Sequence, residues 1–275
     1  MGEYLRPARL SEALDVLHGA LGRPMTVLAG GTDFYPAHVG RAIDEDILDV
    51  TAIHELRGVA ESDTGWRIGA ITTWSELIAT PLPRLFDGLK LAAREVGGRQ
   101  IQNAGTIAGN LCNASPAADG VPPLLALDAE LELAGRAGFR HLPLSQFILG
   151  NRRTALAPNE LVVAIHVPRP IGEARSTFLK LGARRYLIIS IIMVAATLEV
   201  ADNKVTRARI AVGACSEVAR RLPLLEAALK DAPLDALASR VHPGHLSALS
   251  PIDDVRASAA YRNDAVLTML KRVLA

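Results

Sequence analysis

Apolar residues at Leu10, Ala13, Leu14, Leu17 and Leu21 recur with the i, i+3, i+4, i+7 spacing of one helix face, predicting a helix over Ser11–Leu21. Ser11 stands at its start as an N-cap and Gly22 at its end as a stop. The pattern then shortens. Thr26–Ala29 is an apolar run broken by Gly30-Gly31-Thr32-Asp33, and Ile47–Val50 is a second such run, so both are predicted strands. After Gly58 come a strand at Trp66–Ala70 and a short helix opened by the capping box Thr73-x-x-Glu76 and ended by Pro81. Leu82–Val96 carries Leu85, Leu89, Ala92, Ala93 and Val96 on one helical face and stops at Gly97-Gly98.

Further on, the pattern predicts a helix at Val121–Leu127 and strands at Ala129–Ala134, Phe139–Leu144 and Leu161–Val167, with Asn151–Ala157 a mobile surface loop between the last two. Pro168-Arg169-Pro170-Ile171-Gly172 has the composition of a linker. Beyond it, Thr177–Leu181, Leu187–Val200 and Val205–Val212 predict three strands, the last two joined by a turn at Asp202-Asn203-Lys204. Helices follow at Leu222–Lys230, Leu234–Val241 and Val255–Leu274, the last with Tyr261, Leu267, Leu270 and Leu274 for an apolar face. The chain is thus expected to be α+β in three blocks, 1–58, 59–168 and 169–275, the last a three-stranded sheet plus helices.

One stretch fits neither period. Gln100–Gly120 lies between two predicted helices and sets Asn103, Thr106, Asn110, Asn113, Ser115 and Asp119 among Gly105, Gly109 and Gly120. Many donors and acceptors in a loop of low charge suit a buried ligand; a polar loop capping its neighbours is the other reading. Gly30-Gly31, directly after a strand, likewise allows either a nest of amides around an anion or an ordinary strand-to-helix turn.

Composition narrows the chemistry. The 275 residues are 49% hydrophobic and 21% charged, ample for a packed core and against disorder. A net charge of +1 and 4% aromatic residues give no footprint for nucleic acid or an anionic membrane. The first residues lack the apolar core of a secretory signal, and the longest apolar run, Leu187–Leu198, is too short for a membrane span. Cys112 and Cys215 are too few for an iron–sulfur cluster; buried thiols in a reducing cytoplasm are the expectation. The seven histidines are scattered, so no metal site is predicted. A Rossmann unit is disfavoured, because Gly30-Gly31 lacks the third spaced glycine and Pro36 interrupts the crossover helix; no P-loop motif occurs.

Two segments taken together carry a resemblance. Ala29-Gly30-Gly31-Thr32-Asp33 in the first block, with Thr106-Ile107-Ala108-Gly109-Asn110 and Ser115-Pro116-x-x-Asp119 in the second, resemble the FAD-binding medium subunit of the molybdenum hydroxylases. That family includes the flavoprotein chains of carbon monoxide dehydrogenase, xanthine dehydrogenase and 4-hydroxybenzoyl-CoA reductase. The likeness runs to the C-terminal helix motif at Asp254–Arg262. It implies a two-subdomain FAD-binding fold of the vanillyl-alcohol-oxidase type in blocks one and two, with a C-terminal α+β domain.

By that resemblance, Val27, Leu28, Ala29, Gly30, Gly31, Thr32, Asp33 and Phe34 wrap the FAD pyrophosphate, and Gly105, Thr106, Ile107, Ala108, Gly109 and Asn110 close on it. Thr106, Asn110 and Asp119 match hydrogen-bonding positions, Val96 an apolar contact, and Val163 and Lys180 two further FAD contacts. Neither glycine segment holds an Arg/Lys cluster, so amides and hydroxyls are left to neutralise the phosphates. Lys180 either supplies positive charge at the flavin or is solvated; Arg184 and Arg185 lie near the flavin or face solvent. The implied function is a redox relay: a molybdopterin-containing large subunit oxidises substrate, and [2Fe-2S] clusters of a small subunit pass the electrons to this FAD. No catalytic residue and no metal ligand is nominated in this chain. The alternatives are a self-sufficient flavin oxidoreductase and a non-catalytic nucleotide-binding or assembly module.

Overall fold

A computed structural model describes residues 2–20, 22–184 and 187–275. The first lobe holds β1 (Tyr4–Leu5), α1 (Leu10–Gly19), β2 (Met25–Leu28), α2 (Phe34–Ala37) and β3 (Asp46–Asp49). Its strands form a parallel sheet in the order β1-β3-β2, with Val27 opposite Leu48 and Leu28 opposite Asp49. Helix α1 begins at Leu10 rather than Ser11, and its first amide donates to Glu55 Oε1 at 2.7 Å. Ser11 therefore lies inside the first turn, and Leu21 falls outside the described residues.

The second lobe comprises β4 (Val59–Ser62), β5 (Gly65–Gly69), α3 (Trp74–Ala79), α4 (Asp87–Glu95), α5 (Arg99–Ala104), α6 (Ile107–Asn113) and α7 (Val121–Ala126). It continues through β6 (Glu130–Gly135), β7 (Gly138–Pro143), α8 (Leu144–Phe147), β8 (Ile148–Gly150), β9 (Arg153–Thr154) and β10 (Glu160–Pro168). Its main sheet runs β4-β5-β10-β6-β7, with antiparallel pairs throughout. The capping box at α3 forms: the Thr73 hydroxyl accepts from Glu76 N at 3.2 Å and Glu76 Oε2 from Thr73 N at 2.8 Å.

The stretch expected to be an irregular loop is largely helical. Its two helices, α5 and α6, are six and seven residues long, too short for a clear 3.6-residue period. Thr106 caps the second, accepting from Gly109 N at 3.1 Å, and Ala114 ends it in the left-handed region at φ 47°. The expected surface loop at Asn151–Ala157 contains half of the small β8–β9 hairpin. Leu82–Val96 opens with a 3₁₀ turn at Arg84–Phe86, so its α-helix starts only at Asp87.

The C-terminal domain has β11 (Glu173–Leu181), β12 (Ile192–Ala201), β13 (Lys204–Gly213), β14 (Arg220–Arg221), α9 (Pro223–Leu229) and α10 (Ala259–Val273). Its sheet has four strands rather than three, because Ala211 and Val212 pair with Arg221 and Arg220. The predicted strand from Leu187 starts regular pairing only at Ile192. Leu234–Val241 is two 3₁₀ turns, Leu234–Ala236 and Ala238–Arg240, instead of a helix. The last helix begins at Ala259, capped by the Ser258 hydroxyl, and Tyr261 is half exposed while Val266, Met269 and Leu270 face inward.

Alternation along β12 shows why its first five residues, Ile192–Ala196, are all apolar. Met193 and Ala195 enter the core of the second lobe, whereas Ile192, Val194 and Ala196 enter the core beneath α9 and α10. Both faces of this half of the strand are covered, so no polar position alternates in over Ile192–Ala196. One apolar cluster therefore runs from Ile107, Leu111 and Leu124 of the second lobe into Phe178, Met193 and Ala211 of the C-terminal sheet.

Candidate cofactor site

The strand β2 ends against the turn Ala29–Asp33, and the N–H groups of Gly30, Gly31, Thr32 and Asp33 have no hydrogen-bond partner among the described residues. Four consecutive free amides make a concave, partially positive surface that suits an anion. Gly31 holds φ at +67°, which side chains disfavour, and a Cβ there would sit 2.5 Å from the Tyr35 ring. Gly30 is required for another reason: a Cβ on it would lie 2.0 Å from the carbonyl oxygen of Ala104, at the end of α5. The two glycine segments are thus in contact through Gly30 and the backbone before Gly105.

The second segment uses its amides differently. Ile107 N donates to Thr72 O at 3.0 Å, Ala108 N to Ala70 O at 3.1 Å, Gly109 N to the Thr106 hydroxyl and Asn110 N to Thr106 O at 3.1 Å. Helix α6 therefore arrives at the site with its amino terminus already satisfied. Its available polar atom is the side-chain oxygen of Asn110, which is buried and has no partner among the described residues. A buried unpaired acceptor carries a penalty of about 1–3 kcal/mol, which a ligand donor relieves.

Between the segments lies a cavity of about 630 Å³. Val27 through Phe34 line one wall; Val96, Gly105, Thr106, Gly109 and Asn110 line the other. Its volume is in the range of cofactor pockets. Ile107 and Ala108 are buried behind this wall, and Val163 is fully buried in the core of the first lobe, so these three expected contacts do not reach the cavity.

Asp119 and Lys180 are brought together, away from the cavity wall. Their side chains form an ion pair at 2.8 Å, and the other Asp119 oxygen accepts from the Ser190 hydroxyl at 2.7 Å. Lys180 is thus neither solvated nor a lone charge, and it also donates to Glu95 O at 3.2 Å. Burial lifts the Asp119 carboxyl above the usual aspartate range, with Lys180 and Ser190 pulling the other way. Glu95 and Lys180 border a smaller cavity of about 390 Å³, and Val96, next to Glu95 in the chain, borders the first. Arg184 borders that smaller cavity and donates to Leu187 O at 2.6 Å, and Arg185 lies outside the described residues.

Sequence reasoning missed several lining residues. Thr26, His38, Glu45, Trp74, Ile101 and Arg152 all border the cavity. Arg152, with φ +54°, is the one lysine or arginine among its described lining residues; its guanidinium donates to Asn113 Oδ1 at 3.0 Å, and Asn113 donates to Asp33. Nothing local to Arg152 signals this, because it reaches the site from the β8–β9 hairpin. Cys112, expected to be buried, is exposed on the cavity, while Cys215 is buried. Among the described residues, no cluster of His, Cys, Asp and Glu is arranged to hold a metal, and no helix is long and apolar enough to cross a membrane.

Two small α+β lobes that close on a cavity with a free-amide turn on one wall suit a cofactor that carries phosphate. Comparison with known proteins specifies the cofactor. The model of the FAD binding domain in molybdopterin dehydrogenase matches residues 1–170, and that of the CO dehydrogenase flavoprotein C-terminal domain matches residues 177–275. The chain is 32% identical over 276 residues to a putative xanthine dehydrogenase FAD-binding subunit of Escherichia coli, covering 98% of this chain and 94% of that one. It is 31% identical to the carbon monoxide dehydrogenase medium chain of Hydrogenophaga pseudoflava, covering 99% and 95%. A solved carbon monoxide dehydrogenase from the same organism superposes with a TM-score of 0.87 at 30% identity, over 99% of this chain and 96% of that one. The chain belongs to the FAD-binding medium subunits of the molybdenum hydroxylase family.

Proposed function

We propose that this chain holds FAD in the cavity between its first two lobes and relays electrons from iron–sulfur clusters on a small partner subunit to an external acceptor. A molybdopterin-containing large subunit would oxidise the substrate. The observation that carries the reading is the turn of four free amides at Gly30–Asp33, on the wall of a cavity that Asn110 also lines. Bound FAD supplies the redox chemistry. This chain's residues do the rest: the amides hold the diphosphate, Arg152 adds positive charge at the rim, and Val96 gives the flavin an apolar surface. The Asn110 side chain accepts from a ligand hydroxyl or ring N–H.

Substrate choice is assigned to the partner, in keeping with the relatives' names. Chains about equally similar to this one are subunits of dehydrogenases for xanthine, carbon monoxide and glyceraldehyde. The two free thiols suit a reducing, cytoplasmic setting. Purification from the native host, with a visible spectrum and metal analysis, tests the proposal. Flavin bands co-eluting with molybdenum and iron are expected. A lone chain that turns over substrate would make it a self-sufficient oxidoreductase, and a chain that takes up no FAD would overturn the reading.

A further inference from the structure

At one end of the cavity stands a cluster that neither glycine segment explains. The Glu45 carboxylate accepts from the Thr26 hydroxyl with one oxygen and contacts His38 Nε2 at 3.1 Å with the other. His38 is fixed in turn: its Nδ1 lies 2.8 Å from Phe34 O, and its ring packs on Phe34 with centroids 4.3 Å apart. All four residues line the cavity and all are partly buried. We propose that Glu45 accepts hydrogen bonds from the 2′ and 3′ hydroxyls of the dinucleotide's adenosine ribose, while Phe34 and His38 pack beside its adenine.

The inference rests on FAD occupying this cavity, and three features take it further. A carboxylate offers about four acceptor positions, of which Thr26 and His38 use two, so two remain for a vicinal diol. Asp33, the other carboxylate on the cavity wall, is turned to Asn113. Thr26 precedes Gly30 by four residues, at most about 13 Å of extended chain, a reach on the scale of an ADP moiety measured from the free amides. A negative group at this end repels phosphate, so it excludes the diphosphate from the Glu45 end and selects a ribose whose hydroxyls are unmodified. The dinucleotide is thereby given one direction along the cavity, with its flavin half toward Val96.

The test is calorimetric titration of the apo full-length chain with ADP, 2′-deoxy-ADP and FMN. In the wild type, ADP is expected to bind roughly tenfold more tightly than 2′-deoxy-ADP, because a charged acceptor loses its donor. Glu45→Ala should erase that ratio and leave FMN binding unchanged. Equal affinities for the two nucleotides in the wild type would overturn the inference even if the variant fails to fold. So would a Glu45→Ala protein that keeps the ratio, or a chain that binds FAD but not ADP. Loss of FAD binding in Gly31→Val alone, with Glu45→Ala unaffected, would sink only this assignment; FAD binding indifferent to both changes would remove the cavity itself as the site.

Discussion

The two glycine segments look alike in sequence and behave differently in the fold. Gly30–Asp33 leaves every amide free, while Ile107–Asn110 gives all of its amides to Thr72, Ala70 and Thr106. The first is a turn whose amides have no partner among the described residues, which is why phosphate is proposed to bind there. The second is a capped helix in which the Asn110 side-chain oxygen is buried without a partner among the described residues, and the close approach of the lobes is made by Gly30 against Ala104. In the first segment the two glycines meet two separate physical needs, a positive φ at Gly31 and close approach to the Ala104 backbone at Gly30.

Substitutions separate the two roles. The largest effect is expected from Gly31→Val, which forces a branched side chain into φ +67° and against the Tyr35 ring, weakening FAD binding by about 1–3 kcal/mol. Fluorescence quenching of added FAD measures this, and unchanged affinity would mean that the amides do not bind phosphate. Asn110→Ala should weaken FAD binding by about 1 kcal/mol and leave the apo melting temperature unchanged or slightly raised, since the oxygen it removes is unpaired without ligand. A fall in apo stability would place Asn110 among the structural caps instead.

A smaller effect concerns pH. Burial holds the Asp119 carboxyl above its unfolded value, so the native state keeps a proton that the unfolded chain has released. Stability from this group is complete below about pH 4, the ordinary aspartate range, and declines as pH rises through the raised native value. The melting temperature of the wild type minus that of Asp119→Asn should therefore fall with pH across this window and then level off. A difference that rises with pH would show that the Lys180 pair outweighs burial. Least of all is expected from Cys112→Ser: Cys112 lines the cavity without a hydrogen-bond partner among the described residues, and flavin affinity should stay within experimental error. A large loss would make the sulfur a contact.

What the sequence revealed follows the same division. Long apolar periods and strong local signals were legible: the Thr73–Glu76 capping box, the α4 face of Leu89, Ala92 and Ala93, and the doubly buried β12 all form. Short helices such as α5 and α6 were not, because six or seven residues span fewer than two turns and carry no readable face. Gly30 and Gly31 drew attention by type alone, but the state of their amides is decided by partners elsewhere in the chain. Thr26, His38, Glu45 and Arg152 were invisible for that reason: each reaches the cavity through tertiary placement. The Lys180–Asp119 pair joins residues sixty-one positions apart, a separation no local pattern encodes.

The apolar cluster that crosses from the second lobe into the C-terminal sheet has a consequence for how the chain comes apart. Family boundaries fall between residues 170 and 177, yet Phe178, Met193, Ala195, Ala211 and Ala214 complete the interior around Ile107, Leu111 and Leu124. A protein cut at that seam would present a greasy face on each half, and neither half would melt as the intact chain does. The first two lobes and the tail are expected to unfold together, and excising the tail would uncover α4 and α7, against which its strands pack.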